Sequence, residues 1–201
     1  MGIYSIKPKF QVALGPIKRL FVKWKIHPTT INILALLFSV SGGLAIYYAG
    51  VYPLLLIYIP VMAFVRTALN ALDGLVAREM KVKNQAFGEV LNESIDRLSD
   101  IVIFLGIIFA SYVNMGLASV VLIGVLFVSY LGIIGKAAGG TRRYEGFAGK
   151  ADRMFYVSAA SLIIFFTGNY EWMNYMLYLL AVLVVITIFQ RYNAIRKELK
   201  R

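Results

Sequence analysis

The chain has 201 residues, 60% of them hydrophobic and 15% charged, with a mean hydropathy of +0.73. That composition excludes a water-exposed globule, and its wealth of aromatic and β-branched residues excludes intrinsic disorder. There is no cysteine and one histidine, His27, so disulfides and thiolate chemistry are closed off, and zinc chemistry nearly so; the net charge of +11 is broken up by long apolar runs, a membrane pattern with no nucleic-acid partner implied.

Residues 1–30 carry Lys7, Lys9, Lys18, Arg19, Lys23 and Lys25. After Pro16, Ile17, Leu20, Phe21 and Trp24 recur at helical spacing, which predicts a short amphipathic helix on the membrane surface. A basic tail that only sets orientation is the plainer alternative. From Thr29 to Val65 the chain is uncharged, and Gly50-Val51-Tyr52-Pro53 divides it into spans over residues 31–49 and 52–72. A second uncharged run, 101–135, divides near Asn114, its first helix beginning near Gly88. A third apolar run, 154–190, is interrupted only around Gly168-Asn169-Tyr170-Glu171, its first helix beginning near Asp152.

The expected fold is therefore all-α and integral to the membrane, with six transmembrane helices preceded by an amphipathic surface helix. The first span lies about thirty residues in, has no cleavage site and runs directly into another span, so it is expected to stay in the mature protein. Arg78, Lys81 and Lys83 fall between spans two and three. Lys136, Arg142, Arg143, Lys150 and Arg153 fall between four and five, and Arg191, Arg196, Lys197, Lys200 and Arg201 follow six. The opposite loops have no lysine or arginine, so both termini and the long loops are expected in the cytoplasm. No fixed-period repeat occurs, which disfavours a transporter of duplicated halves.

Polar residues enter the spans at two places. Asn70, Asp73, Gly74 and Ala77 share a face at the end of span two, followed by Arg78. At about 100° per residue, Glu89, Asn92, Asp96 and Asp100 occupy an arc of roughly 80° at the start of span three. Acids so concentrated repel one another, and a hard cation bound by oxygen relieves the repulsion, with magnesium, manganese or calcium fitting better than zinc. The bland alternative is a polar helix end lining water. Gly74 and Ala77 let a flat ligand or a phosphate chain approach the backbone and equally suit helix packing, and the two roles are compatible. Between spans four and five, Lys136, Gly139-Gly140 and Arg142 to Arg153 suggest an anion-binding loop, or else a loop touching anionic lipid headgroups. Arg66, inside span two, needs an anionic partner, either an acid or a substrate phosphate.

The run Asp73-Gly74-x2-Ala77-Arg78, nine residues, Gly88, then Asp96 eight residues on resembles the motif of the CDP-alcohol phosphotransferases (CDP-alcohol phosphatidyltransferases), D-x2-D-G-x2-A-R-x8-G-x3-D-x3-D. Asn70 and Asn92 stand where that pattern has aspartate, and the arginine-to-glycine gap is one residue longer. The resemblance implies a six-helix, usually dimeric fold with a cavity open to the cytoplasm. There an acceptor hydroxyl attacks a CDP-linked lipid and expels CMP. It implies Mg2+ or Mn2+ held by Asn70, Asp73, Asn92 and Asp96, with Asp96 also the candidate base, and a CDP moiety met by Gly74, Ala77, Arg78 and Gly88. Similar basic loops accompany phosphorylated acceptors, which points Arg66, Arg142, Arg143, Lys150 and Arg153 at inositol phosphate or glycerol phosphate.

Because two carboxylates are missing, three outcomes stay open: Glu89, Glu93 or Asp100 supplies charge, one metal binds in place of two, or catalysis is lost and a nucleotide- or lipid-binding membrane protein remains. The expected organisation is a cytoplasmic amphipathic segment over 1–30, a six-helix transmembrane catalytic domain over 31–190 and a basic cytoplasmic tail over 191–201.

Overall fold

The computed structural model describes residues 7–81 and 84–200. Lys83 and Arg201, counted above among the basic flanks, lie outside the described residues. All regular structure described is helical: α1 (Lys7–Ala13), α2 (Gly15–Lys23), α3 (Pro28–Tyr48), α4 (Leu55–Glu79), α5 (Gln85–Ile108), α6 (Met115–Ala137), α7 (Lys150–Thr167) and α8 (Glu171–Leu199).

Local chemistry sets the helix ends. His27 caps α3, its Nδ1 accepting the Thr29 N–H at 3.3 Å, with Pro28 in the first turn. Asn114 caps α6 by accepting the Leu117 N–H at 2.9 Å, and Gly168 closes α7 at φ 68°. The α5 start expected near Gly88 lies at Gln85, and the α7 start expected near Asp152 lies at Lys150. Helix α8 continues unbroken through most of the expected tail, to Leu199.

Among the described residues four helices, α3, α4, α6 and α8, are long and apolar enough to cross a membrane. Helix α5, of 24 residues, carries charges from Glu89 to Asp100 and is apolar beyond them, and α7, of 18, carries its charges in the first turn. Phe64, Val120, Ile123, Phe166, Val182 and Phe189 point outward, as a lipid-facing surface requires. The molecule is an all-α integral membrane protein.

The long helices close into a ring. Helix α3 packs on α4 and α5, α4 on α7, α7 on α8, α8 on α6, and α6 on α5, while α4 and α5 do not pack directly. Ile46, Ile59, Met62, Ile103, Phe104 and Ile107 fill the interior at one end. Lipid tails are as apolar as these side chains, so close packing holds the helices together more than exclusion of water does. At the α3–α5 crossing a Cβ on Gly106 would stand 2.1 Å from the Gly43 carbonyl oxygen, so the backbones meet only because both residues lack side chains. In the α5–α6 loop, the Tyr112 hydroxyl donates to the Ile46 carbonyl at 2.7 Å. Burial, reinforced by Tyr170 against it, pushes that phenol well above its ordinary range.

Helix α2 packs on α4 and is tied to it by Lys18–Glu79 at 2.9 Å. Phe21, expected on one apolar stripe with Ile17, Leu20 and Trp24, turns inward toward Leu14, Leu69 and Leu72; the other three stay exposed. The stripe is divided because α2 has a protein neighbour on one side.

Candidate active site

At the end of the ring where α5 and α7 begin, the gap between α4 and α5 opens into a cavity of about 480 Å³. Thr67 and Asn70 of α4, Asn92, Asp96 and Arg97 of α5, and the α6–α7 loop with the first turns of α7 form its polar wall; Arg191 of α8 completes it. Among the described residues, six cations (Arg97, Arg142, Arg143, Lys150, Arg153 and Arg191) and two acids, Asp96 and Asp152, line it; Arg142, Arg143, Lys150 and Arg153 form ion pairs with carboxylates, and Arg191, held by backbone carbonyls, is the cation best placed to attract an anionic occupant.

The acids of α5 are held by cations from other elements. Asp100, fully buried, binds Arg66 of α4 at 3.1 Å and Arg153 of α7 at 2.5 Å. This bridge joins α5 to α4 and α7, neither of which its backbone packs against. Glu93 binds Arg142 and lies 3.9 Å from Arg97, Glu89 binds Lys136 at 2.5 Å, and Asp96 binds Lys150. The acids named above as possible replacements for the missing carboxylates, Glu89, Glu93 and Asp100, therefore each neutralise a cation of their own.

The loop over residues 138–149 is fixed as firmly. Thr187 accepts the Phe147 and Ala148 N–H groups, each at 3.1 Å. Gly146, at φ 107°, presses so closely on Thr187 that a Cβ would lie 2.3 Å from it. Glu198 accepts from the Thr141 N–H at 3.0 Å and binds Arg143. Arg191 donates to the carbonyls of Val128 at 2.7 Å and Glu145 at 3.0 Å. Those partners are neutral carbonyls, and the side chain lines the cavity wall.

The expected metal ligands are partly assembled. Asn70 and Asn92, on facing helices, both line the cavity, and each has a buried Oδ1 with no hydrogen-bond partner. Asp96 lines the same wall. Asp73, one turn beyond Asn70, is buried and accepts the Gly74 N–H at 2.6 Å. Among the described residues no group of three or more histidine, cysteine or acidic side chains is placed to hold a metal. Asp73 is not part of the cavity wall, but the two orphaned amide oxygens, with the Asp96 carboxylate in the same wall, fit one hard cation, which accepts carbonyl oxygen readily.

Of the other expected site residues, Arg142, Arg143, Lys150 and Arg153 line the cavity. Arg66 is behind it, bound to Asp100, so of the two partners proposed for it the acid is the right one. Gly74, Arg78 and Gly88 are exposed and Ala77 half-buried, all outside the cavity wall. Arg97 and Arg191 were missed. Arg97 was readable as the neighbour of Asp96, whereas Arg191 was counted in the tail although it directly follows the last apolar run.

The chain is 32% identical over 198 residues to the inner membrane protein YnbA of Escherichia coli K12, a match covering 97% of this chain and 96% of YnbA. It is 31% identical over 196 residues to an archaetidylinositol phosphate synthase of Pyrococcus horikoshii, covering 98% and 97%. The chain belongs to the CDP-alcohol phosphatidyltransferase family. No family model matches it. Two solved structures of a family member agree in fold: Mycobacterium tuberculosis phosphatidylinositol phosphate synthase with manganese and citrate, and the same enzyme with CDP-DAG bound. Both reach a TM-score of 0.76 over 91% of this chain, at 26% and 25% identity, and the match covers 88% and 93% of those chains.

Proposed function

We propose that this chain transfers a phosphatidyl or archaetidyl group from a CDP-linked lipid to a small phosphorylated polyol such as inositol phosphate or glycerol phosphate, releasing CMP. The observation that carries this reading is the cation-lined cavity with Asp96 in its wall. An acceptor bearing a phosphate would be drawn by Arg191, Arg142 and Arg143. Its free hydroxyl would give its proton to Asp96 and attack the phosphorus distal to cytidine, breaking the bond to the CMP oxygen. Asn70, Asp73, Asn92 and Asp96 are the residues that would hold a magnesium or manganese ion. Neutralising charge on the diphosphate is the chemistry that ion supplies when bound. The exposed Gly74 and Arg78 would meet the donor at the cavity's outer edge.

The same reading has six spans, α3 to α8, with both termini and the cavity on the cytoplasmic side, where the positive charge lies. It also has the chain working as a homodimer among membrane lipids, as the motif resemblance implies. An acceptor panel tests it: purified protein with CDP-diacylglycerol or CDP-archaeol and manganese should form product from inositol phosphate or glycerol phosphate. Preference for unphosphorylated inositol or glycerol would refute the acceptor phosphate. A protein that binds CDP-lipid without turnover would favour the alternative reading, a degenerate lipid-binding member, to which the neutral Asn70 and Asn92 lend support.

A further inference from the structure

Two carboxylates fewer should leave a site with too little negative charge for the cations that act on a diphosphate, unless the site asks for fewer cations. The charges around Asp96 address this directly. Glu89, Glu93 and Asp100 are bound to Lys136, Arg142 and Arg66 with Arg153, and so add no net negative charge. At positions 70 and 92 the donors are neutral amide oxygens without partners. On the Asp96 carboxylate itself sits the ammonium of Lys150.

That ammonium is delivered by a rigid element. Lys150 is the first residue of α7, whose start is closed by the Gly149 N–H donating to Asp152 at 3.1 Å. One turn on, Arg153 locks α7 to Asp100 of α5. Lys150 is thus carried to Asp96 by the same buried bridge that holds the two helices together.

We propose that Lys150 is a built-in counter-charge for Asp96, standing in for a second bound cation, so that the site takes a single divalent ion. This rests on the phosphatidyltransferase reading, and makes Lys150 a positioning residue rather than an acceptor ligand. A fixed ammonium beside the ion opposes it, and removing that ammonium should tighten the ion's binding.

The test is manganese binding to the purified full-length protein, followed by electron paramagnetic resonance of free Mn2+ and by calorimetry, with neither donor nor acceptor present. The wild-type protein should bind one Mn2+ per chain. Lys150→Met should bind Mn2+ about tenfold or more tightly, and Lys150→Arg, which keeps the charge, should stay near the wild type. The triple variant Asn70→Asp, Asn92→Asp, Lys150→Met should take a second ion. Unchanged or weaker binding by Lys150→Met, two ions in the wild type, or none would each overturn the proposal. CMP release is measured separately, so a wild type that binds one ion and shows the Lys150 effect without turnover would sink the catalytic reading and leave the counter-charge intact.

Discussion

Asp100→Asn is the sharpest test of how the fold holds its site. In the native protein one buried carboxylate is shared by two guanidiniums, Arg66 at 3.1 Å and Arg153 at 2.5 Å, each with about 1% of its side chain exposed. Asparagine keeps the shape and removes the charge, leaving two buried arginines with only a neutral amide between them. Breaking a buried pair in this way costs about 3–5 kcal/mol. For a chain of this size that corresponds to a fall in Tm of about 6–20 °C. Thermal melts in detergent, followed by far-ultraviolet circular dichroism, would read it. Replacing all three partners together, Asp100→Leu with Arg66→Met and Arg153→Met, should recover most of the loss, because the cost lies in the uncompensated charge. A Tm for Asp100→Asn within about 2 °C of the wild type would refute the reasoning, since it would mean water or other groups already solvate the arginines.

Arg191→Gln should raise the acceptor's KM about tenfold or more and leave the donor's KM nearly unchanged, the loss of one charge-assisted contact worth about 1.5–3 kcal/mol; equal effects on both would place Arg191 elsewhere. Gly106→Ala drives a methyl into the Gly43 carbonyl and should lower stability by at least about 1–3 kcal/mol, whereas Gly74→Ala, with nothing within 4 Å of the added carbon, should leave the melt unchanged. Tyr112 has a raised folded-state pKa, so its contribution is fully present below the phenol's ordinary value of 10.0 and is lost as pH rises toward the folded value. Tyr112→Phe should flatten that alkaline loss while costing about 1 kcal/mol at neutral pH for the Ile46 hydrogen bond, and alkaline melts of the two proteins would compare them.

Apolar run length made α3, α4, α6 and α8 legible in the sequence. The starts of α5 and α7 came out two or three residues late, since hydropathy does not register polar first turns. The facing amides and Asp96 were legible as well, because helical periodicity alone puts Asn92 and Asp96 on one face and Asn70 at the end of the preceding span. Pairing across the ring was not. Nothing local says that α3 lies between α4 and α5, or that α7 brings Arg153 to an aspartate 53 residues earlier in the chain. The sequence alone therefore leaves Arg66 with two possible partners and shows Glu89, Glu93 and Asp100 without the cations that each binds in the fold. Arg191 was hidden for a related reason: a basic residue just beyond an apolar run reads as topology until its helix is seen turning it into the cavity.

Phosphatidyl transfer from a cavity with amides at positions 70 and 92 is directly measurable. Purified protein in vesicles with CDP-lipid, manganese and inositol phosphate or glycerol phosphate would test it, with CMP measured alongside the mass of the lipid product and Asp96→Asn as control. The account predicts CMP and phosphodiester in equal amounts from the wild type, and neither from Asp96→Asn. No CMP from the wild type with any acceptor, or wild-type turnover by Asp96→Asn, would contradict it.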